Sequence, residues 1–106
     1  DPLLDLGWLI ATWPGEGFAF GPMAPLAALG GWPRPEELAA HYAATTGRDV
    51  SALDWYVVLA SFKLGIILEG THARAFANKA PKAIGDLLHA FTLALFARAA
   101  ARIAAL

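Results

Sequence analysis

The chain has 106 residues, of which 58% are hydrophobic and 16% are charged, and its mean hydropathy is +0.50. A typical soluble domain is about 45–50% apolar and about 25% charged. The net charge of −1 gives no electrostatic footprint for a nucleic-acid partner, and the absence of cysteine excludes disulfides and thiolate chemistry. Because a chain this short buries only about two thirds of its surface, we expect another domain or a second copy, as in a homo-oligomer, to cover the apolar excess.

Neither a leader peptide nor a membrane span is expected from the sequence. The first residues carry two acids and lack the basic region with which a signal peptide begins. The longest charge-free run, residues 17–33, is rich in glycine and proline and does not suit a membrane-spanning helix. We therefore expect a cytoplasmic chain.

The first half of the chain predicts two helices joined by a long loop. Asp1 and Pro2 form the favoured pair at a helix start, and Asp5 is an acid of the first turn, which the helix dipole favours. Residues 13–35 form a connection rich in aromatic side chains that either covers a core or lines a pocket, with a short helical turn over residues 23–29. The second helix covers residues 35–46 and ends at Gly47.

The second half predicts two further helices. The helix over residues 51–77 has a polar stripe and two apolar faces, so both flanks should be packed and the stripe is either a solvent strip or the wall of a cleft. The stripe contains Asp54, Ser61, Gly65, Glu69 and His72. The apolar faces contain Trp55, Leu59, Phe62 and Ile66 on one side and Val57, Ala60, Leu64 and Leu68 on the other.

The last helix runs from about Lys82 to the end of the chain. Its expected apolar seam, at helical spacing, contains Ile84, Leu88, Phe91 and Leu95. The predicted fold is thus all-α, with four main helices and a long aromatic loop in a single domain over residues 1–106.

Candidate ligands for a metal ion are few. Glu69 and His72 have the Glu-x-x-His spacing of carboxylate-bridged di-metal bundles, but those bundles need two such motifs and two further glutamates. His89 has Asp86 three residues before it, and nothing completes a second carboxylate pair. No phosphate-cradling loop is recognisable either. We therefore predict neither a metal site nor a catalytic residue in this chain.

Two stretches resemble a known family. Residues 1–8, Asp-Pro-Leu-Leu-Asp-Leu-Gly-Trp, resemble the Asp-Pro-x-x-Asp-Leu segment of the aminoglycoside phosphotransferase-like family, which has a protein-kinase-like fold. Residues 46–56 and 67–70 are similar to the branch associated with acyl-CoA dehydrogenases. The resemblance implies that this chain is the helical part of a kinase-like C-terminal lobe. It departs from the family at Arg34, where a serine commonly caps the second helix.

The resemblance also implies what the chain lacks. Family members have an ATP-binding lobe, a His-Gly-Asp catalytic loop and Mg²⁺ ligands, none of which has a counterpart here, so ATP, Mg²⁺ and a small-molecule acceptor are expected only for a full-length parent. Asp5 matches the family aspartate that hydrogen-bonds the catalytic-loop backbone, and Asp1 matches the acid just before it. In such a parent Glu69 and His72 would wall the acceptor cleft. The alternative is a free-standing helical module that dimerises through its apolar faces.

Overall fold

The computed structural model describes residues 1–15 and 23–106, and within them all regular structure is helical. The helices are α1 (Pro2–Thr12), α2 (Met23–Ala27), α3 (Pro35–Thr46), α4 (Leu53–Phe76) and α5 (Lys82–Ala104). This confirms the all-α prediction, with α2 as the short turn expected inside the long loop. Phe18 and Phe20, two of the aromatic residues assigned to that loop, lie outside the described residues.

The chain divides into two compact units, Asp1–Val57 and Val58–Leu106. The first unit contains α1, α2, α3 and the first five residues of α4. The second unit contains the rest of α4 together with α5. The expectation of one domain over residues 1–106 stays a prediction.

The start of α1 is formed by the two residues that the sequence singled out. Oδ1 of Asp1 accepts a hydrogen bond from the Leu3 backbone N–H at 2.9 Å, and Pro2 occupies the first turn, where its missing N–H costs nothing. The buried residues of α1 are Leu3, Leu6, Gly7, Ile10 and Ala11.

The start and end of α3 differ in how well they are capped. Arg34 precedes the helix without a side-chain cap bond, and its guanidinium pairs instead with Glu37 at 3.0 Å. Gly47 ends the helix at φ 69°, in the left-handed conformation that glycine adopts without steric cost. The predicted end at Gly47 is confirmed, and so is the missing cap at Arg34.

In the long loop, two tryptophans anchor the described part. Their rings meet edge to face at 5.2 Å, and each indole N–H donates to a backbone carbonyl, Trp13 to Pro33 at 2.8 Å and Trp32 to Leu26 at 2.9 Å. A buried or half-buried indole usually finds such an acceptor. These contacts hold the two ends of the loop together within the first unit.

Helix α4 begins two residues later and ends one residue earlier than predicted, and only one of its apolar faces is buried. Val57, Leu64 and Leu68 are each at most 8% exposed. On the other face Trp55, Phe62 and Ile66 are 54–61% exposed, and Leu59 is half-buried. The prediction that both faces are packed is therefore wrong, because periodicity identifies an apolar face but does not identify its partner.

In the second unit α4 and α5 pack against each other in antiparallel register. Thr92 Oγ1 donates to the Gly65 carbonyl at 3.1 Å, the Phe96 ring covers Gly65, and Gly85 lies against Ala75. The buried seam of α5 consists of Gly85, Thr92, Leu95 and Ala99. The predicted seam is wrong at Ile84, which is 49% exposed. Gly85, the next residue, faces α4 and packs against Ala75, so Ile84 points away from the contact between the two helices.

Helix α5 is long and apolar enough to cross a membrane by length and composition alone. Its 18-residue window has a mean hydropathy of 1.4, and 11% of that window is buried. Core helices of soluble proteins pass the same test, so one such helix is weak support for a span. The expectation of no span stays a prediction.

Candidate functional site

Two helices bring three potential ligands together in the second unit. Glu69 and His72 are three residues apart on α4 and therefore share a face. His89 comes from α5, where it follows Gly85 by one turn. The close approach of α5 to α4 at Gly85 and Ala75 puts the His89 ring within reach of Glu69. We call these three residues the Glu–His–His cluster.

Both imidazoles of the cluster point their Nδ1 atoms at the same carboxylate. Nδ1 of His72 lies 2.6 Å from Oε1 of Glu69, and Nδ1 of His89 lies 2.9 Å from Oε1 and 2.8 Å from Oε2. The two rings are stacked, with centroids 4.2 Å apart and planes inclined by 21°. With Nδ1 protonated, each ring donates to the carboxylate, and these bonds hold all three side chains in one geometry.

The electrostatics of the cluster favour a charged glutamate. Hydrogen bonding by His89, and next by His72, lowers the pKa of the Glu69 carboxyl from its ordinary value, with partial desolvation opposing the shift. The side chains of Glu69, His72 and His89 are 38%, 27% and 39% exposed, so the cluster is reached by water. One potential ligand atom from each residue lies within 4.8 Å of the others.

A pocket of about 370 Å³ lies next to the cluster, on the far side of His72. Nε2 of His72 is 4.0 Å from Oδ1 of Asp86, so this ring contacts an acid at each nitrogen. The lining residues are His72, Ala75, Phe76, Asn78, Ala80, Lys82 and Asp86. A cation, an acid and an amide there can hold a small polar molecule.

The polar stripe predicted on α4 is neither a solvent strip nor a cleft wall along its whole length. Ser61 is 3% exposed and Gly65 lies under the Phe96 ring, so the middle of the stripe is packed. The expected close approach at Gly65 is confirmed, since a Cβ atom there would collide with that ring. Asp54 near the start of the helix and Glu69 and His72 near its end are half-buried.

The sequence did not reveal that His89 completes the cluster. It named Asp86 as the neighbour of His89, whereas the structure places the His89 ring against Glu69, 20 residues away. If α4 and α5 are aligned as an antiparallel hairpin with Gly85 opposite Ala75, His89 falls near Glu69.

The two carboxylates at the start of α1 have different surroundings in the first unit. Oδ2 of Asp1 accepts a hydrogen bond from the Tyr56 hydroxyl at 2.7 Å, while Oδ1 caps the helix. Asp5 is exposed, and its side chain makes no hydrogen bond or ion pair with another residue in the described ranges. Tyr56 was not predicted as a partner because it falls opposite the polar stripe of its helix.

Comparison with protein-family models, with curated proteins and with solved structures finds no match for the chain. The resemblance to kinase-like phosphotransferases therefore depends on the sequence motifs and on the residues that carry them.

Proposed function

We propose that this chain is the helical part of the C-terminal lobe of an ATP-dependent small-molecule phosphotransferase with a kinase-like fold. In this role it supports a catalytic loop and shapes an acceptor site, and it is inactive alone. The residues that bind ATP and Mg²⁺ and clamp the phosphates belong to the rest of the parent protein.

The observation that carries the proposal is the pair of aspartates at the start of α1. Asp1 is held by its cap bond to Leu3 and by the Tyr56 hydroxyl, which gives the helix start a defined position. Asp5, one turn further on, has a side chain without a bond to any described residue. An exposed carboxylate on an anchored helix is free to accept backbone N–H bonds from an added segment, as the matching aspartate does in the family that the motif resembles.

The test is kinetic and uses the full-length parent. Asp5→Ala should lower turnover by about tenfold, which corresponds to about 1.4 kcal/mol of transition-state free energy, with nucleotide affinity unchanged. The matched control is Glu36→Ala, which also removes an exposed acid from the first turn of a helix. If Asp5 is only a dipole-favoured charge, both variants lose about 0.3–1 kcal/mol of stability and neither changes turnover. That result would reject the supporting role.

A second test needs only the coding sequence of the parent. We expect the reading frame upstream of Asp1 to encode a His-Gly-Asp catalytic loop and an ATP-binding lobe. If the coding region encodes neither the catalytic loop nor the ATP-binding lobe, the phosphotransferase proposal is rejected and the self-associating helical module is favoured.

We also propose that Glu69 and His72 wall the acceptor site of the parent. The support is their half-exposed position at the end of α4 beside the pocket that His72 lines. Glu69→Gln should then raise the acceptor KM or lower kcat with ATP affinity unchanged. If only thermal stability changes, the pair is structural and the acceptor binds elsewhere.

A second candidate function is a helical interaction module that self-associates. A specific observation favours it, because fifteen large hydrophobic side chains among the described residues are exposed, including Trp55, Phe62 and Phe76. Exposed apolar surface on this scale marks interaction sites. Both candidate functions require a partner that covers this surface. For the phosphotransferase fragment the partner is the rest of the parent protein, and for the interaction module it is a second copy of the chain.

A further inference from the structure

We propose that the Glu–His–His cluster is a binding site for one divalent transition-metal ion, with Zn²⁺ as the best match. The site lies within the second unit and does not depend on the phosphotransferase role. It comprises Glu69 and His72 from α4 and His89 from α5.

The donor set points to this class of ion. Two imidazoles and one carboxylate are the ligands of open zinc sites, which keep a fourth position for water or another ligand. Imidazole suits Zn²⁺, Cu²⁺ and Ni²⁺, whereas Mg²⁺ and Ca²⁺ prefer sites built from oxygen donors alone. The exposure of Glu69 and His89 leaves room for that fourth ligand.

The geometry needs little adjustment. Both Nδ1 atoms already converge on Oε1 of Glu69, at 2.6 and 2.9 Å. Ligand bonds of about 2.0–2.1 Å in a tetrahedral site separate neighbouring donor atoms by about 3.3 Å. For Nδ1 to bind an ion, each neutral ring must carry its proton on Nε2 instead of Nδ1. The ion would then part each Nδ1 from Oε1 by roughly half an ångström, and the three donor atoms already lie within 4.8 Å of one another.

The helices that carry the ligands are held on both sides of the cluster. On one side Thr92 Oγ1 bonds the Gly65 carbonyl, and on the other side Gly85 packs against Ala75. These two contacts fix the distance between α4 and α5 at the cluster. A site on rigid elements holds its geometry best, so the three side chains are well placed to bind an ion.

Asp86 provides an independent indication. A histidine that binds a metal through one ring nitrogen usually donates the N–H of the other nitrogen to a carboxylate. With Nδ1 of His72 at the cluster, its Nε2 lies 4.0 Å from Oδ1 of Asp86, which a small rotation brings to hydrogen-bond distance. Asp86 is therefore the orienting residue for His72 rather than a ligand.

The experiment uses the purified, tag-free chain after chelator treatment. Titration with Zn²⁺ followed by calorimetry, and with Co²⁺ followed by visible absorption, should give one ion per chain with micromolar or tighter affinity. His72→Ala and His89→Ala should each weaken binding at least tenfold. Asp86→Asn should weaken it about tenfold through the orientation of His72. The matched control is His41→Ala, since His41 is the remaining histidine and lies exposed on α3.

A second measurement uses the wild-type chain, so it does not require that any variant folds. Zn²⁺ added to the wild-type chain should shift the imidazole nitrogen resonances of His72 and His89 and leave those of His41 unchanged. Three outcomes overturn the proposal: no saturable binding, equal loss in the His41→Ala control, or equal shifts at all three histidines. Any of them would show that the cluster is a hydrogen-bonded structural pairing only.

Discussion

At the scale of single residues, Asp49 organises the entry into α4. Its Oδ1 accepts a hydrogen bond from the Ser51 backbone N–H at 2.8 Å, just before the helix begins. Hydrogen bonds from the backbone and then the hydroxyl of Ser51 lower the pKa of the Asp49 carboxyl, against a small desolvation effect. Aspartate forms such local bonds readily in turns, which explains its place in the connector.

The hydrogen bond between Asp49 and Ser51 makes the stability of the fold depend on pH, and the direction of the effect follows from the lowered pKa. Because the pKa of Asp49 is lower in the folded than in the unfolded chain, its contribution to stability is present above about pH 3.9, the ordinary aspartate pKa. It is lost as the pH falls through the lowered value. The unfolding midpoint of the wild type should therefore exceed that of Asp49→Ala at neutral pH and approach it in acid.

The pKa itself can be measured by carboxyl ¹³C chemical shifts. Ser51→Ala keeps the backbone N–H and removes the hydroxyl, so the pKa of Asp49 should move part of the way back toward its ordinary value. An Asp49 carboxyl that titrates at the ordinary value in both proteins would contradict the assignment.

A second residue-scale prediction concerns the hydrogen bond between Tyr56 and Asp1. Tyr56→Phe removes this bond of 2.7 Å and should lower the free energy of unfolding by about 0.5–1.5 kcal/mol. The matched control is Tyr42→Phe on α3, where the hydroxyl makes no hydrogen bond to a described residue. Denaturant unfolding of both variants measures the difference. Equal losses would mean that the bond to Asp1 contributes nothing specific.

At the scale of elements, glycines decide how closely helices approach. In the first unit a Cβ at Gly7 would lie 2.8 Å from the Tyr56 carbonyl carbon. In the second unit a Cβ at Gly85 would collide with the Ala75 side chain. Gly70 of α4, by contrast, has open space around its Cβ position. Glycine is therefore required at the contacts of Gly7 and Gly85 and dispensable at Gly70.

The contrast predicts opposite effects of one substitution. Gly70→Ala should raise the free energy of unfolding by about 1 kcal/mol, because alanine is the better helix former and nothing obstructs it. Gly85→Ala gains the same propensity but overpacks the contact with Ala75, so we expect a net loss of about 1–3 kcal/mol. Thermal or denaturant unfolding gives both values. A stabilised Gly85→Ala would disprove the close contact between α4 and α5.

At the scale of the whole molecule, the apolar excess of the composition reappears as exposed surface. Large apolar residues stay exposed on α1, α4 and α5, among them Leu9, Ile66 and Leu87. Charged residues make up only 16% of the sequence, against about 25% in a typical domain. Burial of apolar surface is the main driving force of association, so this surface favours a partner.

We predict that the isolated chain self-associates, with α1 or the aromatic loop in the interface. Light scattering at increasing concentration should show a mass above 11.2 kDa. Leu9→Lys, an exposed change on α1, should weaken the association, whereas Lys63→Ala, an exposed change on α4, should not. A single monomeric species at high concentration would contradict the prediction.

We also predict that the isolated chain neither binds nor hydrolyses ATP. Its sequence contains no phosphate-cradling loop and no His-Gly-Asp motif, and phosphoryl transfer requires positioned Mg²⁺ ligands and a phosphate clamp. Calorimetry with Mg²⁺ and ATP should give no saturable heat. Binding at micromolar affinity would require a nucleotide site that neither the motifs nor the resemblance provides.

The helices could be predicted from the sequence because the signals for them are local. Proline at the starts of α1 and α3, Gly47 after α3 and the apolar periodicity of α4 act over a few residues. The bounds of α3 and the start of α5 agree with the prediction, and those of α4 differ by no more than two residues. The sequence also singled out Gly65 as a close contact, since a glycine inside a helix is costly without one.

The buried face of α4 and the residue that completes the candidate site could not be predicted, because both depend on packing between helices. The faces of α4 that contain Trp55 and Val57 are both apolar. The face with Val57 is buried and the face with Trp55 is exposed, because burial depends on where other helices lie. His89 meets Glu69 because Gly85 and Thr92 set the register of α5 on α4, and Tyr56 meets Asp1 across 55 positions of sequence. Such contacts follow from packing between distant segments, which periodicity along one helix does not encode.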